Sequence, residues 1–291
     1  MREYLNENTL FNTVAMTLGV SSQLLLIVEG PDDHLLLKRF TTSHLRLLAA
    51  TGGREQVLGA ARLAQSRGLK RSGYLVDRDY DDFTGETSTQ LDNVFVSDHH
   101  DCFVDLLAVD PKLLKWVIDV HTASARRRGG NARPVPDVEV IEAEAFTLAS
   151  FLSAVRIVDA MRSLNLDFKR FSFGGLKVNE FDVSKIAHIV LSRSRYSAED
   201  YELIVSEATR MHAHISGLPH LPVGDHDLFE ALAKVLSRYG VKVSDDNLQR
   251  GYILAATYNT VSGTGWFREI QMWCGEFGKR GFGDDLNSQV A

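Results

Sequence analysis

Apolar residues in the first half of the chain come in short unbroken runs, and in the second half at intervals of three and four. Leu24-Leu25-Leu26-Ile27-Val28 is five aliphatics in a row, closed by Glu29-Gly30-Pro31. That is the pattern of a strand buried on both faces, as in a parallel sheet. Pro31 suits the first position of a helix, and Asp32 and Asp33 fall in a first turn where the helix dipole favours negative charge. Leu35, Leu36, Leu37 and Phe40 supply the apolar side of this helix, predicted over Pro31–Phe40. A strand is predicted at Leu45–Ala50, and Thr51-Gly52-Gly53 turns the chain into a helix over Arg54–Ser66 that stops at Gly68. Strands follow at Tyr74–Val76 and Asn93–Val96. This alternation predicts an α/β fold, one mostly parallel sheet flanked by helices.

From about Glu142 the pattern becomes amphipathic: Ala143–Asn165, Ala198–Ile215, Asp225–Tyr239, Asp245–Tyr258 and Trp266–Phe277, divided by Gly and Pro. A mainly α-helical C-terminal half is expected. Pro134-Val135-Pro136-Asp137 marks a boundary between a domain at 1–141 and a helical domain at 142–291, or a join where the helices pack straight onto the sheet.

Composition narrows the class. With 291 residues, 44% hydrophobic and 24% charged, the chain reads as an ordinary globular protein with a sizeable core. Cys102 and Cys274 are too few for a disulfide framework or a four-thiolate zinc site, which fits a reducing cytoplasm. No apolar run approaches the ~20 residues of a membrane span, and the first residues lack the basic-then-apolar pattern of an export signal. No membrane association is expected. A net charge of −6 argues against coating nucleic acid through the overall field. A local patch remains: Arg126-Arg127-Arg128-Gly129-Gly130-Asn131-Ala132-Arg133 reads as a mobile loop whose arginines contact phosphates or are simply solvated.

The chemistry concentrates in two acidic turns. Glu29 follows the first strand, and Asp77-Arg78-Asp79 follows the Tyr74–Val76 strand. Ligands of open α/β sheets gather beyond the carboxyl ends of the strands, so these acids converge if the two strands are neighbours. Converging carboxylates repel one another unless protonated, solvated or neutralised by a cation. Mg2+, or Mn2+ in its place, is the matching ion, since hard cations take oxygen ligands and often use one or two carboxylates plus substrate phosphates. Two acids alternating at a strand end point to opposite faces unless the strand has already turned. Asp81 and Asp82 read as solvated turn residues. Of the adjacent pair His99 and His100, at most one reaches the acids. Asp225 is a candidate cap for the helix at His226. Trp266, Phe267, Trp273 and Phe277 read as core or a dimer interface rather than a base-stacking platform.

The Glu29-Gly30 turn and the Asp77-Arg78-Asp79 motif, in that order and at strand ends, resemble the TOPRIM domain of topoisomerases, primases and nucleases over roughly residues 22–110. More of the chain enters a narrower resemblance. Val28-Glu29-Gly30-Pro31-Asp32-Asp33, Asp77-Arg78-Asp79-Tyr80-Asp81, Ser97-Asp98-His99-His100-Asp101 and Gly224-Asp225-His226-Asp227-Leu228, with a helical C-terminal half, are similar to TOPRIM effector subunits of the PARIS anti-phage system. The TOPRIM part of overcoming-lysogenization-defect nucleases is also similar. The resemblance implies that Glu29 serves acid/base work or metal binding, that Asp77 and Asp79 hold Mg2+, and that Asp33 joins them. The pattern departs at Phe103, where an acid is expected; Asp101 and Asp105 are the candidates for its place.

The resemblance further implies a toxic endoribonuclease held by an ATPase sensor subunit, released on infection, homodimeric when active, and cleaving transfer RNA. The residues alone support less: metal-dependent attack on a phosphodiester. Other classes fit as well. A DNA endonuclease uses the same acids. A haloacid-dehalogenase-like phosphatase would use Asp77 as nucleophile and Asp79 as acid/base, although that motif normally opens its domain. A non-catalytic binding module would use the acids as a regulatory metal site or as surface.

Overall fold

The computed structural model describes residues 6–85, 91–128, 134–168, 171–176, 182–197, 200–218 and 222–284. Four strands, β1 (Leu24–Val28), β2 (Leu45–Ala49), β3 (Ser72–Val76) and β4 (Val94–Val96), form an all-parallel sheet in the order β2-β1-β3-β4. Helices α1 (Glu7–Val20), α2 (Pro31–Lys38) and α3 (Gly53–Ser66) surround them in sequence. The fold is α/β, as the alternation predicts.

Every residue of β1 and of β3 is buried, which explains why neither strand alternates apolar with polar positions. Leu25, Ile27, Tyr74 and Val76 share one face with Leu10, Val14 and Leu18 of α1 and Val57, Ala60, Ala61 and Ala64 of α3. The small residues of α3 let it lie close to the strands. On the opposite face, a Cβ at Gly73 would stand 2.8 Å from the Phe95 ring and 3.3 Å from that of Trp273, so glycine there is a packing requirement.

Trp273 belongs to α13 (Gly265–Glu276), and its position corrects the predicted domain boundary. The chain divides into two compact units: Met1–Asp81, Glu86–Asp110 and Ala256–Ala291 form one, Asp82–Gly85 and Pro111–Ala255 the other. The division falls at Asp110 rather than near 142, and the last helix returns to the sheet. The return is stapled by an antiparallel bridge between Thr41 and Phe282, with Thr42 N–H donating to Gly281 O and Gly283 N–H to Phe40 O at 2.9 and 2.8 Å. Periodicity could not place the boundary, because the amphipathic signature of α13 matches that of the inserted helices.

The helical unit is built on α7 (Val138–Arg162), against which α6 (Lys112–Arg128), α8 (Val183–Arg193), α9 (Tyr201–Ile215) and α10 (Asp225–Arg238) pack, while α11 (Asp245–Ala255) packs on α6 and α10. Arg156 of α7 and Asp227 of α10 form a forked ion pair, with Nε to Oδ2 at 2.7 Å and Nη2 to Oδ1 at 2.9 Å. The Asp245–Tyr258 prediction splits, since α12 (Tyr258–Ser262) is separate and begins at a Thr257 cap in the sheet unit. No helix among the described residues is long and apolar enough to cross a membrane.

Candidate active site

In the order β2-β1-β3-β4, the chain winds from β1 to β2 on one side and from β3 to β4 on the other. The switch point, where ligands of open α/β sheets bind, therefore lies between the carboxyl ends of β1 and β3. Glu29 leaves β1 and Asp77 leaves β3 at that place. Asp77 N–H donates to Glu29 Oε1 at 2.8 Å, so the two predicted acids do meet.

Asp33 joins them from the first turn of α2. Its Oδ2 accepts from the N-cap Gly30 N–H at 3.0 Å, so it serves the helix start as well as facing the acids. Asp77 Oδ1 accepts from Cys102 N–H at 3.2 Å. Asp79 sits at φ 50°, in the left-handed region, with its N–H donating to His100 O at 2.8 Å. β3 has ended and the chain has turned, so Asp77 and Asp79 are not sent to opposite faces. Asp is among the residues that tolerate this conformation best, and such geometry clusters at functional sites.

Burial is the main force on these groups. Glu29 is pushed up to about 8 by loss of water, with the charges of Asp79 and Asp33 adding to the rise and the Asp77 N–H and Arg54 opposing it. Asp77 is raised well above its ordinary range, first by burial and then by Asp33, Asp101, Glu29 and Asp79. Asp79 is raised by burial against the pull of His100 and Arg54. Asp77 thus feels the other three predicted acids, Glu29 feels Asp79 and Asp33, and Asp101 acts on Asp77 and Asp79 as a fifth.

Asp101 and Asp105, the two candidates for the place of Phe103, differ sharply. Asp105 is 1% exposed and accepts from Asp98 N–H, His99 N–H, His99 Nδ1 and Trp266 Nε1, at 2.7 to 2.9 Å. Its lone pairs are used up in structure. Asp101 caps α5 (Cys102–Val109) through Val104 N–H at 2.8 Å while its charge reaches Asp77 and Asp79. Asp101 is the acid of this pair that sits with the cluster.

The histidines separate as the spacing requires. His100 faces Asp79 and Asp101, its Nδ1 3.3 Å from Asp101 Oδ2 and its ring edge-on to Tyr80 at 4.7 Å; His99 turns to Asp105.

Sequence reading missed Arg54, the basic group of the site. At the start of α3 its guanidinium pairs with Asp81 Oδ2, and its Nε lies 3.8 Å from Asp79 Oδ2. Asp81 is consequently buried in an ion pair, which corrects its reading as a solvated turn residue; Asp82 is exposed. The Thr51-Gly52-Gly53 turn after β2 was the available signal, since it delivers the next residue to the same edge of the sheet. The N-cap of α10 is Gly224 rather than Asp225, whose carboxylate accepts from His226 N–H and Gln249 Nε2.

The basic loop is corrected in part. Arg126 and Arg127 lie in α6, and Arg126 donates to Asp119 Oδ1 at 2.8 Å and to Pro136 O at 3.0 Å, closing the approach to α7. Arg128 ends α6, and Arg133 lies outside the described residues. Trp266, Phe267 and Trp273 are buried and so belong to the core.

The donor set is all oxygen, which suits a hard cation. Among the described residues, however, no group of three His, Cys, Asp or Glu side chains is arranged to hold a metal ion. Glu29 Oε1 and Asp77 Oδ1 are each spent on a backbone N–H, which leaves the second oxygen of each carboxylate for a further ligand. That suits an ion held by one or two carboxylates and completed by water and substrate. No protein-family model, curated protein or solved structure matches this chain.

Proposed function

We propose that this chain is a Mg2+-dependent endonuclease, with Mn2+ able to substitute, that hydrolyses phosphodiester bonds at the Glu29–Asp77–Asp79 site. The observation that carries the reading is the meeting of Glu29 and Asp77 at the switch point, with Asp33, Asp79 and Asp101 within electrostatic reach. Acids gathered and dehydrated in this way repel one another, and a divalent ion with a phosphate is what relieves such a group.

When bound, Mg2+ would polarise the phosphoryl oxygen and lower the pKa of an attacking water. Asp77 and Asp79 would hold it, together with Asp33. Glu29, raised to about 8, exchanges a proton near neutral pH, as a general acid/base must. Its Oε1 takes the Asp77 N–H, so the proton is handled at Oε2. Arg54 supplies positive charge beside Asp79, and Arg78 is pinned to the same edge, its Nε donating to Ser97 O at 3.0 Å. A phospho-aspartate mechanism at Asp77 ranks lower, because it leaves Glu29, whose Oε1 accepts the Asp77 N–H, without a role.

On the resemblance to the PARIS effectors, the substrate we propose is RNA, with transfer RNA as the target. The setting is anti-phage defence: a homodimeric toxin released from an ATPase sensor subunit. The test is incubation of the purified chain with total cellular RNA and with plasmid DNA, with Mg2+ or a chelator, beside Glu29→Ala and Asp77→Ala. Cleavage of RNA that needs Mg2+ and disappears in both variants is expected. Intact RNA beside degraded plasmid moves the substrate to DNA, and cleavage that survives in both variants refutes the site.

A further inference from the structure

The Asp77–Asp79 turn is held by an arc that follows β4. Arg78 N–H donates to Ser97 Oγ at 2.8 Å, Arg78 Nε to Ser97 O at 3.0 Å, Asp79 N–H to His100 O at 2.8 Å, and Cys102 N–H to Asp77 Oδ1 at 3.2 Å. Whatever fixes residues 97–102 therefore fixes the acids.

The arc is fixed in turn by Asp105. One of its oxygens accepts from His99 N–H and His99 Nδ1, the other from Asp98 N–H and from the indole Nε1 of Trp266 at 2.9 Å. Trp266 is fully buried and lies 161 residues further along the chain. Beside it, Asp98 Oδ2 accepts from Gly265 N–H at the first turn of α13, which has no side-chain cap of its own. The helix is thus tied to the arc twice. A buried carboxylate with four donors has little freedom, because losing one donor leaves charge unsatisfied in a site that water does not reach.

We infer that Trp266, acting through Asp105, is a positioning residue for the acidic site, and that α13 sets the geometry in which Asp77, Asp79 and Asp101 face a bound ion. The inference rests on the proposed metal-dependent reading for its consequence, while the positioning chain Trp266–Asp105–arc–Asp77/Asp79 can be read without metal. Neither Trp266 nor Asp105 touches the reacting atoms. Their role matches that of the outer partners which orient metal-ligating carboxylates in other sites.

Trp266→Phe keeps an aromatic ring in the core and deletes only the donor; Asp105→Asn keeps the size and deletes acceptors. Amide resonances of the metal-free full chain are compared with those of each variant, and Mg2+ affinity is measured by titration. In Trp266→Phe, resonances of Arg78, Asp79 and Cys102 are expected to move along with those of Asp98 and His99. Mg2+ affinity should fall about tenfold, and kcat for RNA by a similar factor with KM unchanged. Shifts confined to Asp98, His99 and the neighbours of α13, with Mg2+ affinity held within about twofold, overturn the inference.

A readout in the wild-type protein needs no variant to fold. The Trp266 indole N–H signal is expected to move during Mg2+ titration with the midpoint of the Asp77 and Asp79 amides, and an indole that stays still while those amides move overturns the proposal. A wild-type chain that binds no Mg2+ refutes the nuclease reading instead, and the metal-free comparison then decides the positioning chain alone.

Discussion

Removing one charge from the cluster should make the metal-free protein more stable at high pH. Glu29→Gln is the perturbation, since glutamine can still accept the Asp77 N–H through Oε1. Glu29 titrates at about 8 in the fold against 4.5 as a free side chain. The folded chain therefore holds a proton that the unfolded chain has released between those values. Stability from this group is complete below about pH 4.5 and is lost as pH rises through about 8. The slope is about 1.4 kcal/mol per pH unit for one proton, and integrated over the window the loss is on the order of 2–5 kcal/mol, since Glu29 is coupled to its neighbours. Asp77 and Asp79 are raised for the same reason and steepen the fall. The assay is urea denaturation in a chelator from about pH 5.5 to about pH 8.5. Wild-type stability should decline across that range. Glu29→Gln should decline about one proton less steeply and exceed wild type at the alkaline end by about 1–3 kcal/mol. Mg2+ should restore wild-type stability at the alkaline end. A wild-type stability that is flat or rises with pH, or a variant equally destabilised at both ends, refutes the account of an acid kept protonated by burial.

Arg54→Met strands the buried Asp81 carboxylate, so a loss of about 2–4 kcal/mol is expected in thermal or urea melts, together with a steeper decline of stability at alkaline pH. Asp79→Asn keeps a side chain suited to the left-handed backbone and removes a charge whose side chain is 43% exposed, so solvent screening should hold the gain in metal-free stability below about 0.5 kcal/mol, while Mg2+ no longer raises the melting temperature. Arg156→Met leaves Asp227 buried and unpaired in the helical unit, for a loss of about 2–4 kcal/mol with Mg2+ affinity by titration unchanged. Gly265→Ala would bring a Cβ to 2.1 Å from Asp98 Oδ1, so it should detach Asp98 from the start of α13 and lower stability by about 1–3 kcal/mol in urea.

What was legible in the chain is what local rules determine. The β1 run shows as five aliphatics because a strand buried on both faces has no polar positions to interrupt it, and the predicted bounds coincide with Leu24–Val28. Pro31 with Asp32 and Asp33 marks the start of α2 because first-turn chemistry belongs to consecutive residues. Glu29, Asp77 and Asp79 were legible as a set, since an acid directly after a strand is delivered to the sheet's ligand edge once the strands are neighbours. Helices α1, α5, α6 and α8 were not marked out. In α5, the run Cys102-Phe103-Val104 is buried without a periodic polar face, so it carries no helical signature of its own. The arginine run ending α6 reads as a loop by charge, whereas a helix tolerates consecutive arginines when one of them, Arg126, finds Asp119 and Pro136 O.

The rest was hidden because it depends on separation along the chain. The Asp105–Trp266 bond spans 161 residues and the Asp98–Gly265 bond 167, so no local pattern of either segment announces the other. The same distance explains why Asp105 looked like a candidate ligand. An acid in the segment after the fourth strand is a candidate for metal, and the distant indole, added to three local donors from residues 98 and 99, makes it a structural carboxylate. Asp101, four residues earlier and a candidate for the same place, caps a helix while its charge acts on Asp77 and Asp79. Residue type and strand-end position select the acids that reach this edge of the sheet. Which of them can still take a ligand is decided by the donors that reach them, some local and one from 161 residues away, so the electrostatics of the site, unlike its address, is a property of the whole α/β unit.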